Sequence, residues 1–367
     1  MEDFNSIFED CTSRGTKILK ENYLAHGKHM VIDQGQNKVA GYTNVDEGLF
    51  TDVPAIIFGD HTRIIKYVDE PFFLGADGVK LLKSKKKDAN YKYLYYALRY
   101  ARIPDTGYNR HFKWLKEIKI EYPDAITQQK VANTLDKLIS IIEKRERELT
   151  KLDELIKARF VEMFGDPIKN PRNLEHATLD ELSEFITKGA SPSWQGFSYT
   201  DDSSQTLFVT SENVREGYID LSSPKYIEDG FNDKQKRSVL KKGDFLINIV
   251  GASIGRAAQF NLECKANMNQ AAALVRIADE RVRDKYLTIY LNSEKAQQMY
   301  DSMKSDTGRA NLSLQDIANL KILLPPVEEQ IEFENFVEQV DKSKVAVKKA
   351  LDETQTLFDS LMQEYFG

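Results

Sequence analysis

A chain that matches itself after a shift of 202 residues has to fold as a doubled architecture, and this one does. The shift sets Lys119-Ile120 on Lys321-Ile322, Pro123 on Pro325, Gln128 on Gln330, Asn133 on Asn335, Leu149 on Leu351 and Phe164-Gly165 on Phe366-Gly367, without a gap. Just upstream, Thr106-Gly107 matches Thr307-Gly308 at a shift of 201, so one residue was gained or lost between that loop and the repeat proper.

Each repeated segment is helical by period. A four-three spacing runs through Val131, Leu135, Leu138, Ile142, Arg145, Leu149, Leu152, Ile156, Arg159 and Met163. It returns in Phe333, Val337, Val340, Lys344, Val347, Leu351, Thr354, Phe358, Leu361 and Tyr365. These are coiled-coil seams with two polar interruptions apiece. Pro123 and Pro325 mark the helix starts, and Gly165 followed by Asp166-Pro167 marks a stop. A helix of about 40 residues is roughly 60 Å long, too long for one ordinary domain, so the two must pack on each other.

The intervening stretches read as mixed globules. Short β-rich runs such as Ala55-Ile56-Ile57-Phe58 and Phe245-Leu246-Ile247-Asn248-Ile249-Val250 are broken by Gly, Asn and Asp turns. Helical patterns follow over Tyr91 to Arg102 and Lys285 to Lys304. The spacing predicts an α+β chain: a globule over 1–123, a long helix over 124–165, a second globule over 166–326 and a second long helix over 327–367.

Charge bears on partners. The chain has 51 Lys and Arg against 57 Asp and Glu, a formal net charge of −6, which opposes holding a polyanion by charge alone. The second long helix carries ten acids and four bases, enough to account for the whole excess, while the first balances at eight of each. The globules are close to neutral, at 19 bases to 17 acids and 20 to 22. Nucleic-acid binding is therefore open but weak when unaided. Two distant cysteines, Cys11 and Cys264, fit neither a disulfide framework nor a zinc site. An acidic start without an apolar leader, and no apolar run of membrane-spanning length, point to a cytoplasmic protein without membrane contact.

Polar glycine loops are the candidate reading elements. In the first globule they are Tyr42, Thr43 and Asn44; His61, Thr62 and Arg63; and Tyr108, Asn109 and Arg110. In the second they are Lys188, Ser191, Ser193 and Trp194; Ser211 and Asn213; Ser253 and Arg256; Asn269 and Gln270; and Arg309 and Asn311. Arg can address guanine, Asn and Gln adenine, and Thr a thymine methyl, while ordinary turn chemistry accounts for any one loop taken singly.

Other features read as structural. The Tyr-rich run from Tyr91 to Tyr100 has helical spacing suited to a core face, and His26 and His29 lack further ligands for a metal. The lysines from Lys83 to Lys87 suit a solvated loop as well as a phosphate contact. No nucleophile elbow, metal-ligand set, adenosylmethionine-type loop or helicase or nuclease motif is present, which favours a binding protein over an enzyme. Two competing readings remain: a nucleotide or phosphate enzyme built on the Gly251–Gly255 loop, and a coiled-coil adaptor without DNA contact.

Two globules, each followed by a long helix beginning near a Pro-x-x-x-x-Gln motif (Pro123 with Gln128; Pro325-Pro326-Val327-Glu328-Glu329-Gln330), resemble the specificity subunit of type I restriction-modification systems. The resemblance covers the whole chain. Thr12-Ser13-Arg14-Gly15-Thr16-Lys17, Val31-Ile32-Asp33-Gln34-Gly35-Gln36 and Gly59-Asp60-His61-Thr62-Arg63 look like one class of target-recognition domain. Lys242-Gly243-Asp244, the 251–256 loop and Asn269-Gln270 look like another. The first copy departs from the motif at Asp124, in place of the second proline, and at Thr127, in place of the glutamate.

The resemblance implies an antiparallel pairing of the helices about a pseudo-two-fold, and a non-catalytic subunit that reads a bipartite, asymmetric target in double-stranded DNA. The half-sites would be about one duplex turn apart, roughly 34 Å. It implies two methyltransferase subunits as partners, using S-adenosylmethionine to modify adenine at N6, with no cofactor in this chain, and it allows a translocating restriction subunit.

Overall fold

The computed structural model describes residues 1–75, 78–107, 109–304 and 311–367. The chain divides into two compact units, one formed by residues 1–148 with 346–367 and the other by residues 149–345. Each unit thus combines a globule with part of both long helices.

In the first unit, strands β2 (Phe8–Asp10), β5 (Ala55–Gly59), β6 (Ile65–Val68) and β8 (Val79–Ser84) make an antiparallel sheet in the order β2-β8-β5-β6. A smaller sheet orders β4 (Gly41–Thr43), β3 (His29–Ile32) and β7 (Phe72–Leu74), with β3 and β7 parallel. Every residue of β5 is buried, because both of its faces are covered. Alternation sends Ile56 and Phe58 toward the helices, with Tyr93, Leu94 and Leu135, and sends Ala55 and Ile57 toward the small sheet, with Phe72 and Leu74.

The second unit repeats this plan. Strands β11 (Ser183–Lys188), β15 (Phe245–Asn248), β16 (Ala257–Gln259) and β18 (Ala272–Ile277) pair in the order β11-β18-β15-β16. Strands β12 (Tyr199–Thr200), β13 (Thr206–Val209), β14 (Tyr226–Ile227) and β17 (Ala266–Met268) form the smaller sheet, again with one parallel pair, β13 with β17. Phe245 and Ile247 face the helical side, and Leu246 faces the small sheet. The sequence reads two unlike globules; the chain path makes them topological equivalents.

The long helices are α4 (Ala125–Phe164) and α9 (Val327–Phe366). Their seams are buried or half-buried throughout, as the spacing predicts. In the first unit Val131, Leu135 and Leu138 of α4 share a core with Phe358 and Met362 of α9, and in the second unit Phe160 of α4 meets Phe333 of α9 edge-on. In each unit the start of one helix meets the end of the other, an antiparallel pairing. The polar interruptions meet partners too: Arg145 donates to Thr354 Oγ1 and to the Ala350 carbonyl, and Lys344 pairs with Asp153 at 2.6 Å.

The repeated glutamine acquires a physical reason. Gln128 is fully buried, donates to the Pro123 carbonyl at 2.8 Å and accepts from the Asn90 amide at 2.9 Å. Gln330, also fully buried, donates to the Pro325 carbonyl at 2.8 Å and accepts from the Arg283 amide at 2.8 Å. Asn90 and Arg283 each precede a helix, α2 (Tyr91–Tyr100) and α6 (Asp284–Leu291), so one amide clamps two helix starts together in both units. Likewise Tyr93 and Tyr286 donate to the carbonyls of Glu121 and Leu323, which are 202 residues apart. At the divergent first helix start, Asp124 caps α4 by accepting from the Thr127 amide and hydroxyl, both at 3.0 Å.

Two expectations change. The helical pattern over 285–304 is two helices, α6 and α7 (Glu294–Met303), because Ser293 caps the second by accepting from the Ala296 amide. The lysines around Ser84 are mostly committed to the fold: Lys83 is buried against Asp52 and Pro54, Lys85 donates to Asn5, and Lys86 pairs with Glu2.

Candidate nucleic-acid interface

In the first unit the loops after β3 and β5 are bound together and to the segment before the short helix α3 (Phe112–Leu115). Gln34 accepts from the His61 amide at 3.1 Å, and its carbonyl accepts from Thr62 Oγ1 at 2.7 Å. His61 Nδ1 lies 3.2 Å from the Asn109 carbonyl. Below them Asp60, almost fully buried, accepts from the Phe112 amide at 2.7 Å, and its carbonyl accepts from the His111 amide at 2.7 Å. Arg63 holds a left-handed backbone, φ 60°, and pairs with Asp105 at 2.7 Å. A backbone bond from Gly107, then Arg63, hold the Asp105 carboxyl below its ordinary range.

The structure therefore brings His61, Thr62, Arg63, Asn109 and Arg110 to one loop cluster. Tyr42, Thr43 and Asn44 lie elsewhere, at the opposite end of β3, where Thr43 pairs in register with His29. Thr43 is buried and Asn44 Oδ1 accepts from the Lys28 amide, so both serve the turn. His29 faces Asp46 at 2.9 Å. Tyr108 lies outside the described residues.

In the second unit the candidate loops converge at the ends of β13, β15 and β17. The hub is Asn248, fully buried, whose side-chain amide donates to the Ser211 carbonyl at 2.9 Å and to Ser253 Oγ at 3.1 Å. The Asn269 amide donates to the Val209 carbonyl at 3.1 Å, and the Ile249 amide to the Ala271 carbonyl at 3.0 Å. Val250 bridges to Asn311. The loop after β11 joins them at Gly189, where a β-carbon would lie 1.8 Å from the Met268 carbonyl oxygen, so only glycine fits. Ser191, Ser193 and Trp194 follow on this loop, and Gln270 is exposed beside Asn269.

Asn213 is nearly buried, its side chain engaged by Thr210 and by the Asp220 carbonyl. Among the described residues Arg110, Lys188 and Arg256 make no side-chain hydrogen bond or ion pair, which leaves three cations available to a polyanion. Arg309 lies outside the described residues.

The two clusters occupy equivalent places. Each lies after the strands β3 and β5, or β13 and β15, of its unit, and Asn109 and Asn311 correspond at the 202-residue shift. Gly255 of the glycine loop has a packing explanation: a β-carbon there would lie 2.5 Å from the buried Tyr300 ring. Among the described residues no group of His, Cys, Asp or Glu is arranged to hold a metal ion, and no helix is long and apolar enough to cross a membrane. Sequence reasoning missed Gln34, Asp60, His111 and Asn248 as organisers of these loops. The signal for Asn248 was a lone amide inside the apolar run Phe245-Leu246-Ile247-Asn248-Ile249-Val250.

A duplicated α+β fold with polar loops at matching strand ends defines a two-unit protein with one loop cluster per unit. The chain belongs to the type I restriction modification DNA specificity family, whose domain profile matches residues 4–152 and again 171–354. It is 24% identical over 277 residues to the type I restriction enzyme EcoBI specificity subunit of Escherichia coli, covering 69% of this chain and 58% of that protein. It is 21% identical over 310 residues to the MjaVIII specificity subunit of Methanocaldococcus jannaschii, covering 76% and 72%. The chain thus spans somewhat under two thirds of the length of the E. coli relative. Its fold is similar to the crystal structure of the type I system S subunit from M. genitalium, with a TM-score of 0.60 at 17% identity, covering 100% of this chain and 95% of that one.

Proposed function

We propose that this chain reads a bipartite, asymmetric sequence in double-stranded DNA, in the cytoplasm, as the specificity subunit of a type I restriction-modification complex. The observation that carries this reading is the pair of loop clusters at equivalent strand ends, dressed with different side chains: His61, Thr62, Arg63, Asn109 and Arg110 in one unit, Ser253, Arg256, Asn269, Gln270 and Asn311 in the other. Equivalent places address equivalent grooves, and different side chains read different bases.

The chain contributes the address and no catalytic group. Two adenine-N6 methyltransferase subunits, using S-adenosylmethionine, flip and modify one adenine in each half-site, and there is room for a restriction subunit without one being required. Leu155 and Leu357 support the pair of partners: they correspond at the 202-residue shift and are 46% and 49% exposed, offering matched footholds to two copies of one protein.

The test is to map modified bases in DNA from cells expressing this chain with its candidate methyltransferase, against cells lacking this chain. A two-part N6-methyladenine motif that disappears in the control is expected. Identical modification in both, with assembly of the complex verified, would overturn the reading.

A further inference from the structure

The indole of Trp194 is 87% exposed, on the short turn Ser193–Gln195 beside the second unit's loop cluster. The turn that carries it is rigid. Pro192 is buried; its carbonyl accepts from the Gln195 amide at 2.9 Å and the Phe197 amide at 3.1 Å, and Gly196 closes the turn in a left-handed conformation, φ 82°. Gly189 pins one side of the loop against the Met268 carbonyl. On the other side Phe197 packs edge-on against Phe231 at 5.5 Å, and Lys234 donates to the Gln195 carbonyl at 2.9 Å. A large apolar side chain is thus carried into solvent on a well-braced turn.

Three cations lie on the elements that frame it. Lys188 begins the same loop, and Lys236 and Arg237 follow the helix α5 (Gly230–Lys234) on which the turn rests. All three are exposed, without a side-chain hydrogen bond or ion pair among the described residues. The 235–238 segment is itself fixed, Ser238 and the Gln235 carbonyl both being bonded to buried Asn267. An exposed aromatic plane, with unpaired cations on the elements that frame it, matches a base stack between phosphates.

Resting on the DNA-reading function above, we propose that Trp194 is a stacking wedge: it enters a base step of the half-site read by the second unit while Lys188, Lys236 and Arg237 meet the flanking phosphates. Pyrimidine–purine steps unstack most easily, so the wedge selects such a step without a hydrogen bond to it. The first unit has no counterpart among its described residues, since Trp114 is not exposed and its Nε1 is buried.

The experiment uses the complex with its methyltransferase and a duplex carrying the motif mapped in vivo, beside a scrambled duplex. In a W114F chain Trp194 is the sole tryptophan of this subunit, and after subtraction of a matched W114F/W194F complex the specific duplex is expected to quench its emission while the scrambled one is not. W194A is expected to weaken specific binding about ten-fold or more, with W194F keeping most of it. With the Trp114-containing chain, 2-aminopurine at an unmethylated purine of a pyrimidine–purine step is expected to change its emission on binding, and to lose that change with W194A. If the complex discriminates the duplexes while W194A binds equally well and the 2-aminopurine signal is unchanged, the wedge is wrong and the DNA-reading function stands. Quenching by the methyltransferase alone assigns the indole to a protein contact and overturns the wedge. Absence of discrimination by the unsubstituted complex removes both.

Discussion

Asp244 and Arg276 face each other in a two-armed pair, 2.7 Å on each arm, with side chains 2% and 15% exposed. The Lys241 amide also donates to the carboxylate, and the guanidinium lies over the Phe185 ring at 4.7 Å. Breaking a buried pair strands a charge, so R276M is expected to cost about 3–5 kcal/mol in urea denaturation, whereas D244L/R276M, which removes both charges, should cost much less than the two single changes together. A loss below about 1 kcal/mol for R276M would show the pair to be effectively solvated. Residue choice was the least legible level. Lys242-Gly243-Asp244 stood out in the sequence, but its meaning depends on a partner 32 residues away, placed by the register of β15 on β18. Asn213 looked like a base reader because its amide is the right type, yet the local turn consumes both of its ends.

At the scale of elements, one ion pair ties the start of α9 to the segment leaving α4. Arg172 donates to Glu329 at 2.7 and 2.9 Å, and this bonding holds the Glu329 carboxyl below its ordinary value of 4.5. A carboxyl lowered in the folded state adds stability that is complete above the unfolded value and is lost as pH falls through the folded one. The thermal midpoint of the unsubstituted chain should therefore exceed that of E329Q near about pH 6, with the gap closing below about pH 4. Both side chains are about one third exposed, which keeps the contribution to at most about 1 kcal/mol. A gap that stays constant with pH would assign the effect of E329Q to packing. Elements were legible where periodicity is long: the seams of α4 and α9 emerge from their spacing, and their interruptions at Arg145 and Thr354 meet. They were not legible where strands have two to four residues, as in β3 and β7, whose parallel pairing joins segments about forty residues apart.

At the scale of the molecule the doubling was visible because the repeat preserves the groups that build each unit: the buried glutamine, the helix seams and the closing Phe-Gly. The equivalence of the globules was hidden, since their loops diverge while the shared sheet order is set by pairing across long separations. This division has a functional consequence. The bonds that shape the first candidate loop cluster, Gln34 to His61, His61 to Asn109 and Asp60 to Phe112, all lie within residues 1–123. At the start of α4 Gln128 holds the globule through backbone groups at Pro123 and Asn90, beside the Lys92–Asp136 pair and the packing of Leu135 with Tyr93 and Leu94, so an exchanged globule has to offer this same helix-facing set. Exchange of residues 1–123 for the matching segment of another family member should change one half of the methylated motif and leave the other half, with its modified adenine, unaltered. Methylation mapping in cells expressing the chimera and the same methyltransferase reads both halves at once. A change in both halves would mean that the two units read the target jointly, and the reading surface would then have to include groups outside these loops.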